Sequence, residues 1–506
     1  MSEANAPKLS LKIVVNKQKS KVLFAEANSH VADVLLSFLT LPLGKMVRIL
    51  EKHYGSEAPV IGSITTLYRG LSDLDSRHFY VGGAKQMLLN PRSSLEAECR
   101  RLIVDITDSQ PTKYFVCEDS DCTHSEASNI SLFPDIARCD CGKPLSTELV
   151  VGGRLAAGEA DHEVFTSKMS SFIISDDLRV MANKAGFVQA LKNLGITDST
   201  DGAELRSLSL GVKNIMDLLK FALISTTPLT NVFINSGKIS TTSATEYGPG
   251  VFKSHIQNEA NNTILKVTLQ KSTNKFLFGR AKDDFLELLF SFLTIPLGGV
   301  EEILGGETCL KNIDNLYTSM SNGIYRNYFK TPGTKNRLIN PKLAHGYINY
   351  FKSPDTKNRL IKRKQPNSEG YLDLSQFLPL TEESPPKLYC RDQGIFSHEK
   401  PGSLVSSFKS SLGVGGYAVK EPMVYIVSDD LTVAPYSIAS SILILKRLRV
   451  PLSDVREMEW HIGQEEALSI LKASLTSKTA ITDALINPML NTKYPLQHQP
   501  KQYIWS

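Results

Sequence analysis

Four of the seven cysteines fall within a short segment, at a spacing typical of a metal site. Cys117 and Cys122 form one pair, Cys139 and Cys141 form the other, and Gly142 follows directly. Zinc prefers four soft ligands in a tetrahedron, and two close pairs separated by a loop supply them. The glycine allows the sharp backbone turn that points two sulfurs at one ion. The pattern predicts a structural zinc site, although C-x4-C and C-x-C are less standard spacings than C-x2-C.

Two alternatives accompany the zinc interpretation. His124 is a substitute ligand in the same loop, and four reduced thiols that bind no metal would have the same sequence. A catalytic zinc is disfavoured, because four thiolates leave no open position for water. A related segment later in the chain keeps only Cys390 and His398. We therefore expect that segment to be held by packing rather than by metal.

Two pairs of adjacent aspartates, Asp176-Asp177 and Asp429-Asp430, follow similar apolar segments. Paired carboxylates can perform acid–base chemistry or bind a divalent ion. Adjacent residues on a strand point to opposite faces, however, so the two side chains would not converge. Aspartates at strand ends also commonly accept hydrogen bonds from turn or helix-cap amides. The pattern favours turn chemistry, and without a G-x-S-x-G or H-E-x-x-H arrangement an enzyme is unsupported.

A basic segment lies in the second part of the chain. Between Arg326 and Lys364 the sequence has 11 Lys or Arg and a single acid, for a net charge of +10. The whole chain carries only +5, so the basicity is local. Aromatic residues interleave with the charges, a mix that single-stranded nucleic acid uses for phosphate contact and base stacking. The residues predicted to bind an anionic partner are Lys330, Lys335, Arg337, Lys352, Lys357, Arg359, Lys362, Arg363 and Lys364.

The basic segment has two other interpretations. It fits a solvated loop whose aromatic residues pack on the host domain, and an anionic membrane surface would use the same side chains. The segment also contains a local duplication. YFKTPGTKNRLI (Tyr328–Ile339) recurs as YFKSPDTKNRLI (Tyr350–Ile361), with 10 of 12 positions identical.

The elements that position these residues occur twice. Leu11–Gly44 aligns without gaps on Leu265–Gly298, and 15 of 34 positions are identical. Further pairs match in the same order: Leu67-Tyr68 with Leu316-Tyr317, Lys85–Arg92 with Lys335–Lys342, Phe172–Leu178 with Tyr425–Leu431, and Ala222–Ile234 with Ser474–Ile486. Collinear matches at a nearly constant offset predict an internal duplication, with two related halves that fold alike.

Each copy predicts the same elements. Alternating apolar residues indicate a β-hairpin, and the next helix must end before Pro42 or Pro296. The FIISDDL and YIVSDDL segments are typical of strands, a helix is predicted over Lys184–Leu194, and a late strand precedes an amphipathic helix. The fold class is α+β, with a zinc-ribbon-like loop in the first half. The predicted domains are a first copy at 9–235, a linker at 236–261, a second copy at 262–487 and a C-terminal tail at 488–506.

These blocks resemble a plant family catalogued as domain of unknown function 674. The resemblance rests on KVLFAEA (Lys21–Ala27), FLTLPLG (Phe38–Gly44), the cysteine cluster and VYIVSDDLTVAPYS (Val424–Ser437), and it covers nearly the whole chain. It implies a plant origin and supplies no catalytic residues, because the family has no established activity. The insert at Tyr350–Lys364 departs from the family pattern.

Composition narrows the class of protein further. With 42% hydrophobic and 22% charged residues, the 506-residue chain is expected to fold. No run approaches the roughly 18 apolar residues of a membrane span, and the N-terminus lacks a secretory signal. An odd number of cysteines then favours a cytoplasmic or nuclear protein. We expect a soluble, non-catalytic binding or scaffolding module with structural zinc. The alternatives are a nucleic-acid-associated protein that uses 326–364 and, least favoured, an enzyme that uses the paired aspartates.

Overall fold

The computed structural model describes most of both predicted copies. The described residues are 9–79, 84–108 except 94, 113–119, 129–130, 141–149, 164–167, 171–183, 192, 202–235, 263–321, 328–341, 388–391, 394–397, 404–405, 407–408 and 423–491. The predicted helix over Lys184–Leu194 lies outside this set except for Lys192. Residues 9–235 are called the first half below, and residues 262–491 the second half.

The first half begins with a β-hairpin and continues through helices into further strands. Its strands are β1 (Leu9–Asn16), β2 (Lys21–Asn28), β3 (Tyr114–Cys117), β4 (Asn129–Ile130), β5 (Leu145–Leu149), β6 (Ser171–Ser175), β7 (Val180–Ala182) and β8 (Ala203–Leu210). Its helices are α1 (Ser29–Ser37), α2 (Leu43–Tyr54), α3 (Gly62–Asp73), α4 (Ala84–Leu89), α5 (Glu96–Cys99), α6 (Val212–Ile224) and α7 (Pro228–Phe233).

The second half also begins with a β-hairpin and continues through helices into further strands. Its strands are β9 (Thr263–Gln270), β10 (Phe276–Ala281), β11 (Leu388–Arg391), β12 (Gly394–Ser397), β13 (Leu404–Val405), β14 (Ser407–Phe408), β15 (Tyr425–Val427), β16 (Val433–Pro435) and β17 (Val455–Ile462). Its helices are α8 (Asp283–Phe292), α9 (Leu297–Ile303), α10 (Lys311–Ser321), α11 (Pro332–Ile339), α12 (Ile438–Leu448), α13 (Gln464–Thr476) and α14 (Asn487–Asn491). A π-helical turn at Thr482–Ile486 precedes α14.

Each half contains a five-stranded antiparallel sheet, and the strand order is the same in both. The orders are β7-β6-β2-β1-β8 and β16-β15-β10-β9-β17. The central hairpins also share their register, since Leu11 is opposite Ala27 and Leu265 is opposite Ala281. Burial alternates along β1, as it does in a strand with one face on the core. The predicted hairpins, the late strands and the α+β class are confirmed.

The first helix of each half ends where proline requires it to end. Asn28 caps α1 by accepting a hydrogen bond from the amide of Val31. A 3-10 turn at Phe38–Thr40 closes this helix before Pro42, and α8 likewise ends before Pro296. The longest described helices have 13 residues. Within the described residues, no helix has the length and apolar character needed to cross a bilayer.

The segments Leu41–Gly44 and Ile295–Gly298 contact each other. The Leu43 amide donates to the Ile295 carbonyl, and the Leu297 amide donates to the Leu41 carbonyl, both at 3.0 Å. A Cβ atom on Gly298 would lie only 2.2 Å from the backbone oxygen of Leu338. Glycine is therefore needed here because another backbone approaches too closely for a side chain. Reciprocal contacts between matching segments are the geometry of an isologous interface within one chain.

Each half also sends one helix onto the other. The first half's α3 packs against α13 and β16, and the second half's α10 packs against α6 and β7. Polar contacts fix both arrangements: Ser63 Oγ donates to the carbonyl of Ser477 at 2.7 Å, and Asn312 Nδ2 donates to that of Ala222 at 3.0 Å. One hydrophobic core contains residues from both halves. The two predicted copies therefore share one core and do not form two separate domains.

Candidate metal centre

Two of the four predicted zinc ligands lie side by side. Cys117 ends β3 and is 3% exposed, whereas Cys141 precedes β5 and is exposed. Their sulfurs are 3.5 Å apart. A tetrahedral zinc ion with bonds of about 2.3 Å would place two sulfurs about 3.8 Å apart. The antiparallel pairing of β3 with β5 therefore brings this half of the ligand set to a spacing that zinc accepts.

The backbone around the pair is shaped to present the sulfurs. Gly142 has a φ of 85°, a conformation that side chains disfavour. The Asp119 amide lies 3.5 Å from Cys117 Sγ and donates to it, and such donors stabilise a thiolate. Lys143 Nζ lies 3.1 Å from Asp119 Oδ2, which raises the pKa of that lysine. These contacts connect the end of β3 to the segment before β5 next to the two sulfurs. The pair of strands β3 and β5 is called the ribbon below.

The other predicted ligands, Cys122 and Cys139, lie outside the described residues, as does His124. Over the described part of the chain, no group of three or more His, Cys, Asp or Glu side chains forms a metal-binding cluster. The four-ligand site therefore stays a prediction. In the second half, Cys390 lies in β11, opposite Ile395 of β12, and His398 is outside the described residues.

The first aspartate of each pair binds a threonine in its own half. Asp176 accepts from the Thr230 amide at 2.9 Å and from its hydroxyl at 2.7 Å. Asp429 accepts from the Thr482 amide at 2.8 Å and from its hydroxyl at 2.7 Å. Both threonines lie near the start of a helical segment, where backbone amides lack helical partners. Burial raises the pKa of both carboxyls, and these hydrogen bonds oppose the rise.

The turn after each aspartate pair receives a helix of the other half. Leu178 and Leu431 are fully buried and have φ values of 60° and 63°, which a three-residue hairpin turn requires. Asn315 of α10 donates to the carbonyl of Asp177 at 2.8 Å. The hydroxyl of Thr66 of α3 contacts the carbonyl of Asp430 in the same way. These contacts match the turn interpretation of the aspartates and place them in the joint between the halves.

Comparison with known families gives one match. A family described as "Protein of unknown function (DUF674)" matches residues 5–464 and, in a second match, residues 390–503. The chain belongs to this family. The predicted family resemblance is confirmed, and the description of the family names no activity. Neither the curated proteins nor the solved structures contain a match to the chain.

The basic segment of this DUF674 protein is described only in its first part. Lys335 is 8% exposed, and its Nζ donates to the Ser321 carbonyl at 3.2 Å. Lys85, its counterpart in the first half, donates to the Leu74 carbonyl. Lys85 therefore binds the chain just after α3, and Lys335 binds the end of α10. Arg337 pairs with Glu98 of the first half at 2.6 Å. Lys335 and Arg337 therefore make contacts within the folded chain, and the neighbouring sequence did not reveal these contacts.

The remaining predicted anion-binding residues divide into two groups. Lys330 is exposed at the start of the turn before α11, and its backbone amide donates to the Phe165 carbonyl. The others, Lys352, Lys357, Arg359, Lys362, Arg363 and Lys364, lie outside the described residues. An anionic partner for that second stretch stays a prediction. The first copy of the local repeat, by contrast, is built into the fold as α11.

A buried acidic group was missed by the sequence reasoning. Glu301 of α9 is fully buried, with its Oε1 3.0 Å from the Thr308 hydroxyl. Burial and the nearby charge of Asp314 raise the pKa of Glu301 well above its usual value. Its position four residues after Leu297, on the buried side of a helix, was a usable signal. The aligned residue of the first half is the buried Val47.

A buried ion pair in the first half was also missed. Lys45 Nζ lies 2.6 Å from Glu96 Oε1, and the two side chains are only 2% and 7% exposed. Arg92 Nε adds a contact to the other carboxylate oxygen at 3.3 Å. Removing one partner of such a pair leaves an uncompensated buried charge. The pair ties α5 to α2 and offers no open position for a ligand in the described structure.

Proposed function

We propose that this DUF674 protein is a non-catalytic scaffolding or binding module whose first half is stabilised by a structural zinc ion. The single observation that carries the proposal is the 3.5 Å separation of the Cys117 and Cys141 sulfurs. Cys122 and Cys139 would complete a tetrahedron of four thiolates. Such a site leaves no position for water, so the ion would stabilise the fold and would not catalyse.

The size of the ribbon supports a structural role for the metal. Among the described residues, β3 and β5 form a two-stranded sheet with β4 packed beside it, and a two-stranded sheet by itself is marginally stable in water. Bound zinc adds its binding free energy to folding. The corresponding part of the second half, which contains Cys390, has three paired strands, β12-β11-β13. An additional strand is the kind of packing that would replace the metal where the ligands are missing.

We infer further that the chain arose by internal duplication of one α+β unit, with copies at 9–235 and 262–487. The inference is supported by the shared strand order, the reciprocal bonds at Leu43 and Leu297, and the matching contacts of Asp176 and Asp429. The use of these carboxylates in helix caps supports a scaffold rather than an enzyme. As a setting we propose the cytoplasm or nucleus of a plant cell, on the sequence grounds given above.

Metal analysis of the purified full chain tests the proposal. We expect about one equivalent of zinc per chain, and its loss in Cys139→Ser and in Cys117→Ser. Cys309→Ser is the matched control, because Cys309 is partly buried in the second half, away from the ribbon. It should leave the zinc content unchanged. Less than about half an equivalent of zinc in the unaltered chain, or full zinc in Cys139→Ser, would show that the proposal is wrong.

A further inference from the structure

Helix α12 of the second half packs on a small apolar cluster with one side, and its opposite side is exposed. Leu445 packs with Leu277, Phe278, Ile426 and Val450 in a cluster separate from the core that both halves share. This cluster involves β10 and β15 of the second sheet. The helix therefore lies on the side of that sheet opposite the shared core, where its remaining side chains face outwards.

The outward face of α12 is apolar. Ile438, Ile442 and Leu443 are 70%, 54% and 63% exposed. Ile438 and Ile442 are four residues apart and lie on one side of the helix, while Leu443 lies about 100° further around it. These three residues, called the apolar stripe below, share the exposed half of α12 with Lys446 and Arg447. Leu452, just beyond the helix, is 75% exposed. A helix that is apolar on both sides is normally covered, and a cluster of exposed apolar residues marks an interaction surface.

The charge beside this stripe is mainly positive. Lys446, Arg447 and Arg449 are exposed at the C-terminal end of α12, and the helix sequence IASSILILKRL contains no acid. The nearby Asp454 is already bonded to the Ser272 hydroxyl at 2.7 Å and to its amide at 2.9 Å. The three cations are therefore not neutralised by α12 itself, and the surface is complementary to an anionic partner.

The aligned first-half sequence is less apolar there, when a one-residue gap after Leu178 is allowed. Lys184, Val188 and Gln189 stand where the second half has Ile438, Ile442 and Leu443. Gly195 aligns with Arg449, which has a φ of 56°. Glycine suits that left-handed backbone better than arginine does. The second half thus has two apolar residues, Ile438 and Leu443, where the first half has polar ones, and Arg449 where the first half has glycine.

We propose that α12 is a contact site for an anionic lipid surface. Its apolar stripe, with Leu452, would enter the headgroup layer, while Lys446, Arg447 and Arg449 would meet the negative charges of the lipids. A second copy that packs through the same surface is a poor occupant, because it would bring the same three cations and only Asp454 to meet them. This inference goes beyond the proposed zinc module and does not depend on it.

Sedimentation of the full chain with lipid vesicles tests the proposal. We expect the chain to bind phosphatidylcholine vesicles that contain phosphatidylserine, to bind pure phosphatidylcholine weakly, and to be released by salt. Leu443→Glu should lower binding about tenfold or more. The matched control is Leu205→Glu, since Leu205 of β8 is 61% exposed and lies in the first half. The control should bind as the unaltered chain does.

The basic residues have their own test. Replacing Lys446 and Arg447 by Gln should weaken binding by about thirtyfold, because each cation near an anionic surface contributes roughly a fivefold factor. A double change at two other exposed lysines, Lys213→Gln with Lys275→Gln, alters net charge equally. That control should weaken binding only slightly.

Three results would overturn the proposal. In the first, the unaltered chain does not sediment with the anionic vesicles, or Leu443→Glu and Leu205→Glu bind them equally. In the second, light scattering shows a dimer that Leu443→Glu converts to monomer, which would make a second copy the occupant. In the third, Leu443→Glu lowers the unfolding temperature much more than Leu205→Glu, which would mean that the chain itself covers the stripe.

Discussion

The amide of Leu43 donates a 3.0 Å hydrogen bond to the carbonyl of Ile295, which lies in the corresponding segment of the other half. The reverse bond, from Leu297 to Leu41, has the same length. Around this pair, α3 and α10 each cross to the opposite half, so that both halves contribute to one core. The stability of either half should therefore depend on contacts made by the other.

The first prediction concerns the closest backbone approach in this joint. Gly298→Ala would force a Cβ to within 2.2 Å of the Leu338 oxygen, so the backbones must separate. We expect a loss of about 2–4 kcal/mol in the free energy of unfolding, measured with urea. Gly333→Ala is the matched control, because the new Cβ meets only the Thr331 hydroxyl at 3.8 Å. It should be neutral or slightly stabilising. Equal effects of the two changes would contradict the tight contact.

The second prediction concerns the two aspartate caps. Asp176→Ala and Asp429→Ala should each cost about 1–3 kcal/mol, because each leaves a threonine amide and hydroxyl without their acceptor. Asp177→Ala should cost less, since this carboxylate lies near the surface beside Arg179. Urea unfolding of the three variants measures the difference. A larger effect at Asp177 than at Asp176 would argue against the capping role.

The third prediction concerns pH and Glu301. Because burial raises its pKa in the folded chain, that chain keeps a proton which the unfolded chain releases above about pH 4.5. The contribution of Glu301 to stability is full below that pH and is lost as pH rises through the folded pKa. Glu301→Gln should therefore be more stable than the unaltered chain at neutral pH, by an amount of the order of 1–2 kcal/mol. Urea midpoints from about pH 4 to about pH 8 should diverge steadily. Parallel curves would mean that Glu301 is ionised when folded.

The fourth prediction rests on the proposed zinc site. Chelation should speed amide hydrogen exchange in β3 and β5 by about tenfold or more, while the two five-stranded sheets keep their protection. The reason is that β3 and β5, among the described strands, pair only with each other, whereas each large sheet lies on the shared core. Cys141→Ser without chelator should give the same local effect. Uniformly faster exchange over the whole chain, or no change in the ribbon, would count against a local metal.

Local patterns in the sequence determined the hairpins, the helix stops before Pro42 and Pro296, and the α+β class. Alternation of apolar residues and the geometry of proline act within a few residues, so they can be read without knowing any partner. That the aspartates accept from backbone amides was also accessible, because Asp at a strand end commonly does so. Their partners Thr230 and Thr482, 54 and 53 residues away, were not. The family followed from the same blocks of sequence.

Only the tertiary structure decided which half each helix packs against and what several charged residues do. Lys335 and Arg337, for which the sequence predicted an anionic partner, bond within the chain to Ser321 and to Glu98, the latter in the other half. The burial of Glu301 and the pairing of Lys45 with Glu96 likewise depend on neighbours brought together by packing. The sequence pattern around a residue does not show which distant side chain it will contact across the core. For that reason, the spacing of apolar residues could predict the helices and strands. The roles of the charged residues depend on contacts between elements that are distant in the sequence.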